Sequence, residues 1–129
     1  MILWRPTGLT ELLLVRDSGW RRWPPRLPDQ PIFYPVTTED YAAKIARDWN
    51  SVLAPPDNLG FVTRFEIDDA TAARYPVQEA GGAAHRELWI PAEALAAFND
   101  GIVDEIAVVV AFRDGQVLSL AEAATLWAK

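Results

Sequence analysis

The chain has 129 residues, half of them hydrophobic, six of them tryptophan and none cysteine, so it can close one core without a disulfide framework and offers no cysteine-based zinc or thiol chemistry. Its formal net charge of −6 argues against general binding to nucleic acid or to an anionic membrane, since both ask for a cationic surface. No apolar run reaches the roughly 18 residues of a membrane span, and no basic region with a cleavage site opens the chain, so a soluble cytoplasmic protein is expected.

Ile2–Arg5 has the composition of a short strand, which Pro6 is expected to end. Thr7 is a good N-cap for a helix over Leu9–Asp17, with Leu9, Leu12, Leu13 and the stem of Arg16 inward and Gly19 as its stop. Trp20–Pro31 holds four of the ten prolines and predicts an ordered but irregular loop. Arg21, Arg22 and Arg26 stand there among Trp20, Trp23, Pro24 and Pro25. Either these arginines solvate a surface loop while the tryptophans pack inward, or the loop binds an anionic ligand.

Pro28–Asn50 carries the strongest local signals. Ile32–Val36 is β-branched and aromatic with prolines at hand, which predicts an edge strand. Thr37 or Thr38 then caps a helix whose positive end is favoured by Glu39 and Asp40. Tyr41, Ala42, Ile45, Ala46 and Trp49 fall on one face, so Ile45 and Trp49 are expected inside while Lys44, Arg47 and Asp48 stay wet. Ser51–Gly60, with Pro55-Pro56-Asp57-Asn58, reads as a connector.

Phe61–Asp68 alternates as a half-buried strand does, with Phe61, Thr63, Phe65 and Ile67 on one face. Asp69–Tyr75 predicts a helical turn and Gln78–Ala84, with Gly81-Gly82, a flexible loop. His85–Ile90 predicts another strand, placing Leu88 and Ile90 on one face and His85, Glu87 and Trp89 on the other. Pro91 opens a helix with Leu95, Ala96 and Phe98 for packing. Ile102–Phe112 contains the most apolar run and predicts a central strand; Arg113-Asp114-Gly115 turns it. Ser119 and Glu122 form a capping box for a last helix over about 119–128. The order of elements predicts a single α+β domain, 1–129, with a curved, mainly antiparallel sheet and flanking helices. A doubly wound dinucleotide fold is disfavoured because the strands are short, the connectors proline-rich and the glycine-rich phosphate turn missing.

The runs LWRPTGLTELLLV, WPPRLPDQPIFYPVTTEDYAAKIARDWN, GFVTRFEID and HRELWIPAEALAAFN resemble the small bacterial proteins carried under the label ADP-ribosylation/crystallin-J family. The likeness covers roughly residues 2–110. The ADP-ribosyl hydrolases related to J-type crystallins are larger, all-helical and bind magnesium through aspartate clusters; this chain is too short and too rich in strands for that. Its layout is instead similar to a minimal ADP-ribosyltransferase-like domain, with a first-strand arginine or histidine, a strand leading into a helix, and a later-strand glutamate around NAD.

That resemblance implies positions for each role. Arg5, followed by Thr7, matches the first-strand site that contacts NAD phosphates or ribose, and the guanidinium fork suits bidentate oxygen recognition. Tyr34 and Tyr41 stand in the region where related transferases stack the nicotinamide, although the serine motif of that strand is absent. Glu87 matches the glutamate that stabilises the oxocarbenium-like state as nicotinamide leaves, and His85, two residues before it, stands where glutamine or glutamate is common. Each residue also has a plain structural reading: Arg5 pairing with a carboxylate on a neighbouring strand, the tyrosines packing in the core or at its rim, His85 and Glu87 solvated. No histidine and carboxylate spacing matches a metal site. The expected function is NAD-dependent transfer of ADP-ribose to a protein or other acceptor. The alternative is a non-catalytic module binding a small-molecule nucleotide, another ligand or a protein on the same scaffold.

Overall fold

Trp4 and Val36 exchange two backbone hydrogen bonds, Trp4 N–H to Val36 O at 2.9 Å and Val36 N–H to Trp4 O at 2.8 Å, and this joint ties the edge of the main sheet to the rest of the chain. The structure is a computed structural model that describes residues 1–82 and 84–128. Its elements are β1 (Ile2–Thr7), α1 (Leu9–Asp17), β2 (Ile32–Phe33), α2 (Glu39–Asp48), β3 (Leu59–Ile67), α3 (Asp69–Ala72), β4 (Gln78–Glu79), β5 (Arg86–Glu87), β6 (Ile90–Pro91), α4 (Leu95–Asp100), β7 (Ile102–Arg113), β8 (Gln116–Leu118) and α5 (Leu120–Trp127). The main sheet has the order β1-β3-β7-β8 and every pairing in it is antiparallel. Two short ribbons, β2-β6 and β4-β5, flank it. The chain is a single small α+β domain with helices packed around a mainly antiparallel sheet, as its element pattern predicts.

Several local expectations need correction. Pro6 does not end β1; it pairs with Val62 inside the strand. Trp4 turns its N–H and C=O outward to Val36, so Pro6, two residues on, also faces outward, where a missing N–H breaks no ladder bond. Thr7 is the last residue of β1, and Gly8 takes the N-cap of α1 without a side-chain bond. The expected strand at Ile32–Val36 is split: Ile32 and Phe33 pair with β6, while Val36 alone bridges Trp4 on one side and Glu87 on the other. The Gln78–Ala84 segment is not all loop. Gln78 and Glu79 pair with β5, and the reversal uses Gly81 and Gly82 at φ of 100° and 115°, a region open to glycine; Ala83 lies outside the described residues. His85–Ile90 is correspondingly two short strands, although Leu88 and Ile90 are fully buried as its alternation predicts. Pro91 closes β6 and precedes a 3-10 turn rather than opening the helix itself.

Other expectations hold. Thr38 caps α2 by accepting from Tyr41 N–H at 3.2 Å, and Ser119 caps α5 through Glu122 N–H. β7 lies inside the sheet between β3 and β8. Trp20–Pro31 carries no regular element, yet it is anchored: Asn99 accepts from Trp23 N–H at 2.8 Å and donates to Trp23 O at 3.0 Å.

The core has two sides. On one, Leu3, Trp23, Phe33, Phe65, Leu88 and Phe98 pack together. On the other, Val36, Ala42, Ala46, Val62 and Phe112 seat α2 against β3 and β7. Val62 is buried despite its polar-face parity because α2 covers that face. Lys44, Arg47 and Asp48 are exposed as expected, but Trp49 is 73% exposed and Ile45 only half-buried. The buried stripe of α2 runs through Ala42 and Ala46, and a side chain at Gly60 would strike the Ala46 carbonyl and approach Asn50. That close approach has room for small residues and none for an indole, so Trp49 lies to the side.

Candidate functional site

Alternation along β1 puts Leu3, Arg5 and Thr7 on one face and Trp4 and Pro6 on the other. Arg5 therefore turns toward α1 and the Trp23 loop. Its Nε donates to Glu11 Oε2 at 2.8 Å and its second arm donates to Glu11 Oε1 at 3.0 Å, the fork geometry that suits a carboxylate. The guanidinium also faces rings, 4.8 Å from Phe33 and 5.5 Å from Tyr34, within cation–π reach. Arg26 comes in from the loop and stands 3.5 Å from Glu11 Oε1. Burial, and next the charge of Arg5, hold the Arg26 guanidinium below the usual arginine range. Two nearly enclosed guanidinium groups thus share one carboxylate. Of the two readings of the arginine patch, Arg21 and Arg22 fit the solvated loop, whereas Arg26 has only 6% of its side chain exposed.

These groups line a cavity of about 420 Å³ that also receives Thr7, Gly8, Tyr34, Ile45 and Asn50. Thr7 is 2% exposed, and its hydroxyl has no partner. Asn50 Oδ1 is likewise buried and unpartnered. A second cavity of about 500 Å³ adjoins, lined by Tyr34, Tyr41, Lys44, Ile45, Trp49, Asn50 and His85. Tyr34, Ile45 and Asn50 belong to both, so one groove leads from the arginines past Tyr34 to the Tyr41 and His85 rings. Those rings stack at 4.6 Å with 17° between their planes.

Glu87 sits beneath this second part. It is 7% exposed; Tyr41 Oη donates to its Oε2 at 3.1 Å and Trp89 Nε1 to its Oε1 at 2.7 Å. Burial, followed by the bond to Glu87, pushes the Tyr41 phenol up to about 12. Because Val36 stands in register with both Trp4 and Glu87, those three side chains share a face, and Arg5 is on the reverse of it. Arg5, Thr7 and Tyr34 are therefore brought together at one end of the groove, Tyr34, Tyr41 and His85 at the other, and Glu87 is below Tyr41 rather than in the lining.

Glu11, Asn50 and Trp89 were not foreseen as site residues. Glu11 carried a readable signal, since it stands in the first turn of a helix that follows an arginine-bearing strand. Asn50 carried none, because its place depends on how α2 ends, whereas the alternation of His85–Ile90 put Trp89 on the Glu87 face and left open only that its indole would bond the carboxylate. Among the described residues no group of three or more His, Asp or Glu is placed to hold a metal ion, and no helix is long and apolar enough to cross a membrane. Compared with known proteins, the chain matches no family profile, no curated protein and no solved structure.

Proposed function

We propose that this protein is a recognition module for a nucleotide of the NAD class, held in the groove between the Arg5–Arg26 pair and the Tyr41–His85 stack. The observation that carries this reading is the continuity of the two cavities through Tyr34, Ile45 and Asn50, which offers cations for phosphate at one end and ring faces for a base at the other. The unpartnered Thr7 hydroxyl and Asn50 oxygen fit a ligand rich in hydroxyls and amides, because buried polar groups without partners cost about 1–3 kcal/mol each and a ligand's donors and acceptors relieve that cost.

A second reading, ADP-ribosyl transfer, is favoured by one feature: the Val36 bridges set the Arg5 strand, the Tyr34 segment and the Glu87 strand side by side. Chemistry at Glu87 then requires Tyr41 and Trp89 to hold the carboxylate oriented toward a ribose hydroxyl, and the ring of Tyr41 to shift far enough to admit it. Recognition is the lead because both Glu87 oxygens already accept internal donors and Arg5 faces away from them.

Titration of the protein with NAD, with nicotinamide release and automodified mass followed in the same samples, separates the two. Binding without release, unaltered by Glu87→Gln, is the expected outcome. Release abolished by Glu87→Gln at unchanged NAD affinity puts transfer first, as for an interaction made mainly in the transition state. Absence of any NAD binding removes both.

A further inference from the structure

The first turn of α1 opens into the arginine end of the groove. α1 is a nine-residue helix whose N-cap, Gly8, supplies no side-chain hydrogen bond, so its leading N–H groups keep their appetite for negative charge. The anion beside them is the chain's own Glu11, in the first turn, bound bidentate by Arg5 and reached by Arg26. Glu11 keeps 21% of its side chain exposed, against 9% for Arg5 and 6% for Arg26. The cations are therefore fixed in the wall while the carboxylate stands at the opening. Independently, Thr7 is 98% buried in the same wall with an unpartnered hydroxyl, on the same face of β1 as Arg5. Trp4 and Trp23 Nε1 are likewise buried without partners, but of the four such side chains among the described residues only Thr7 and Asn50 line this cavity. Asp29 also lines this cavity, so its two arginines face two carboxylates, of which Glu11 is the one bonded to them.

We infer that this is a phosphate subsite held by a resident anion: Glu11 occupies the place of a ligand phosphate, and an incoming phosphate exchanges with it on Arg5 and Arg26 while accepting from the Thr7 hydroxyl and the first turn of α1. Exchange leaves Glu11 turned to solvent from a position already at the rim. The device sets a selectivity: a monoanion with one or two oxygens gains little over the carboxylate it replaces, whereas a phosphate or pyrophosphate offers more acceptors to the same five-donor forks. The inference rests on the groove reading above, and the phosphate belongs either to a nucleotide or to free pyrophosphate.

The test is calorimetric titration with inorganic pyrophosphate, acetate and NAD of the wild type, Glu11→Gln and Thr7→Val, each melted with and without pyrophosphate. Wild type is expected to bind pyrophosphate on the order of millimolar and Glu11→Gln about tenfold tighter or better, because the competing anion has gone, with acetate binding neither. Glu11→Gln melts lower than wild type and pyrophosphate restores it. Thr7→Val binds pyrophosphate at least about threefold more weakly with no loss of melting temperature, since it removes a ligand partner and also a buried orphan hydroxyl. Glu11→Gln binding no tighter than wild type overturns the inference, and so does Thr7→Val binding unchanged, which decides the matter if Glu11→Gln does not fold. Pyrophosphate ignored by wild type and by every folded variant also overturns it. If the inference fails while wild type binds NAD, the groove reading stands alone. If NAD does not bind while Glu11→Gln strengthens pyrophosphate, the subsite stands and the groove reading falls.

Discussion

Tyr41 joins the surface groove to the buried acid below it, since one side of its ring stacks on His85 and its hydroxyl donates to Glu87. Its phenol, pushed up to about 12, carries a measurable consequence. A raised folded pKa means that the native state favours the neutral phenol, so the contribution to stability is complete below about pH 10, the unfolded value. It is lost as the pH rises through about 12. Of the three tyrosines, one should then ionise near that value in an ultraviolet titration, and Tyr41→Phe should remove that step. A wild-type titration with no tyrosine so delayed would show that the enclosure of Tyr41, with its Glu87 contact, does not persist in solution. The loss of Tyr41 also frees one Glu87 oxygen, which makes the same variant a probe of whether Glu87 is reached from the groove.

At the scale of the element, α2 decides the shape of the site. Its cap at Thr38 fixes where the helix starts and so where Tyr41 falls, and its small residues at Ala42 and Ala46 bring it close to β3. Since the buried stripe is alanine, the large residues of the helix are free to line the groove. Trp49→Ala should accordingly cost less than about 1 kcal/mol, as a substitution at an exposed position does. Ala46→Leu should cost about 1–3 kcal/mol, because extra methylenes must force the helix from the sheet. Chemical denaturation of the two variants checks both, and a Trp49→Ala cost above the Ala46→Leu cost would require the helix to be turned about its axis. The indole at position 49 would then matter to binding more than to folding.

Across the whole molecule, one buried aromatic side chain ties several elements together. Phe98 is fully buried and meets Phe33, Phe65 and Tyr75 at ring separations of 5.7, 6.2 and 5.9 Å, so it joins α4 to β2, β3 and the segment after α3. Phe98→Ala should cost about 3–5 kcal/mol, the range for deleting a buried aromatic, and thermal unfolding measures it. Because Phe98 lies behind Phe33 rather than in the groove, its variant should bind NAD normally at temperatures where it remains folded. Loss of binding in the folded variant would show that the arginine end is held by the core and not by its own ion pairs.

The local chemistry of the sequence was enough to determine the helices at Leu9–Asp17, after Thr38 and after Ser119, the alternating strand that became β3, the apolar strand that became β7, and the irregularity of the Trp20–Pro31 loop. Caps, turns and periodicity act within a few residues, so they can be read without the fold. Arg5, Thr7, Tyr34, Tyr41 and His85 were legible as residues with chemistry to offer, and all of them reach one groove. What stood beyond the sequence was pairing and facing. Pro6 is tolerated because β1 is at a sheet edge, Trp49 is excluded because Gly60 draws α2 in, and Arg5 and Glu87 face opposite ways because Val36 locks the strands in one register. A register shift of one residue reverses every side chain on a strand, and that choice is made between segments 30 to 80 residues apart, roughly the separations of Trp4, Val36 and Glu87. The tertiary structure alone could therefore seat Glu11 between Arg5 and Arg26 and place Glu87 under Tyr41 and Trp89.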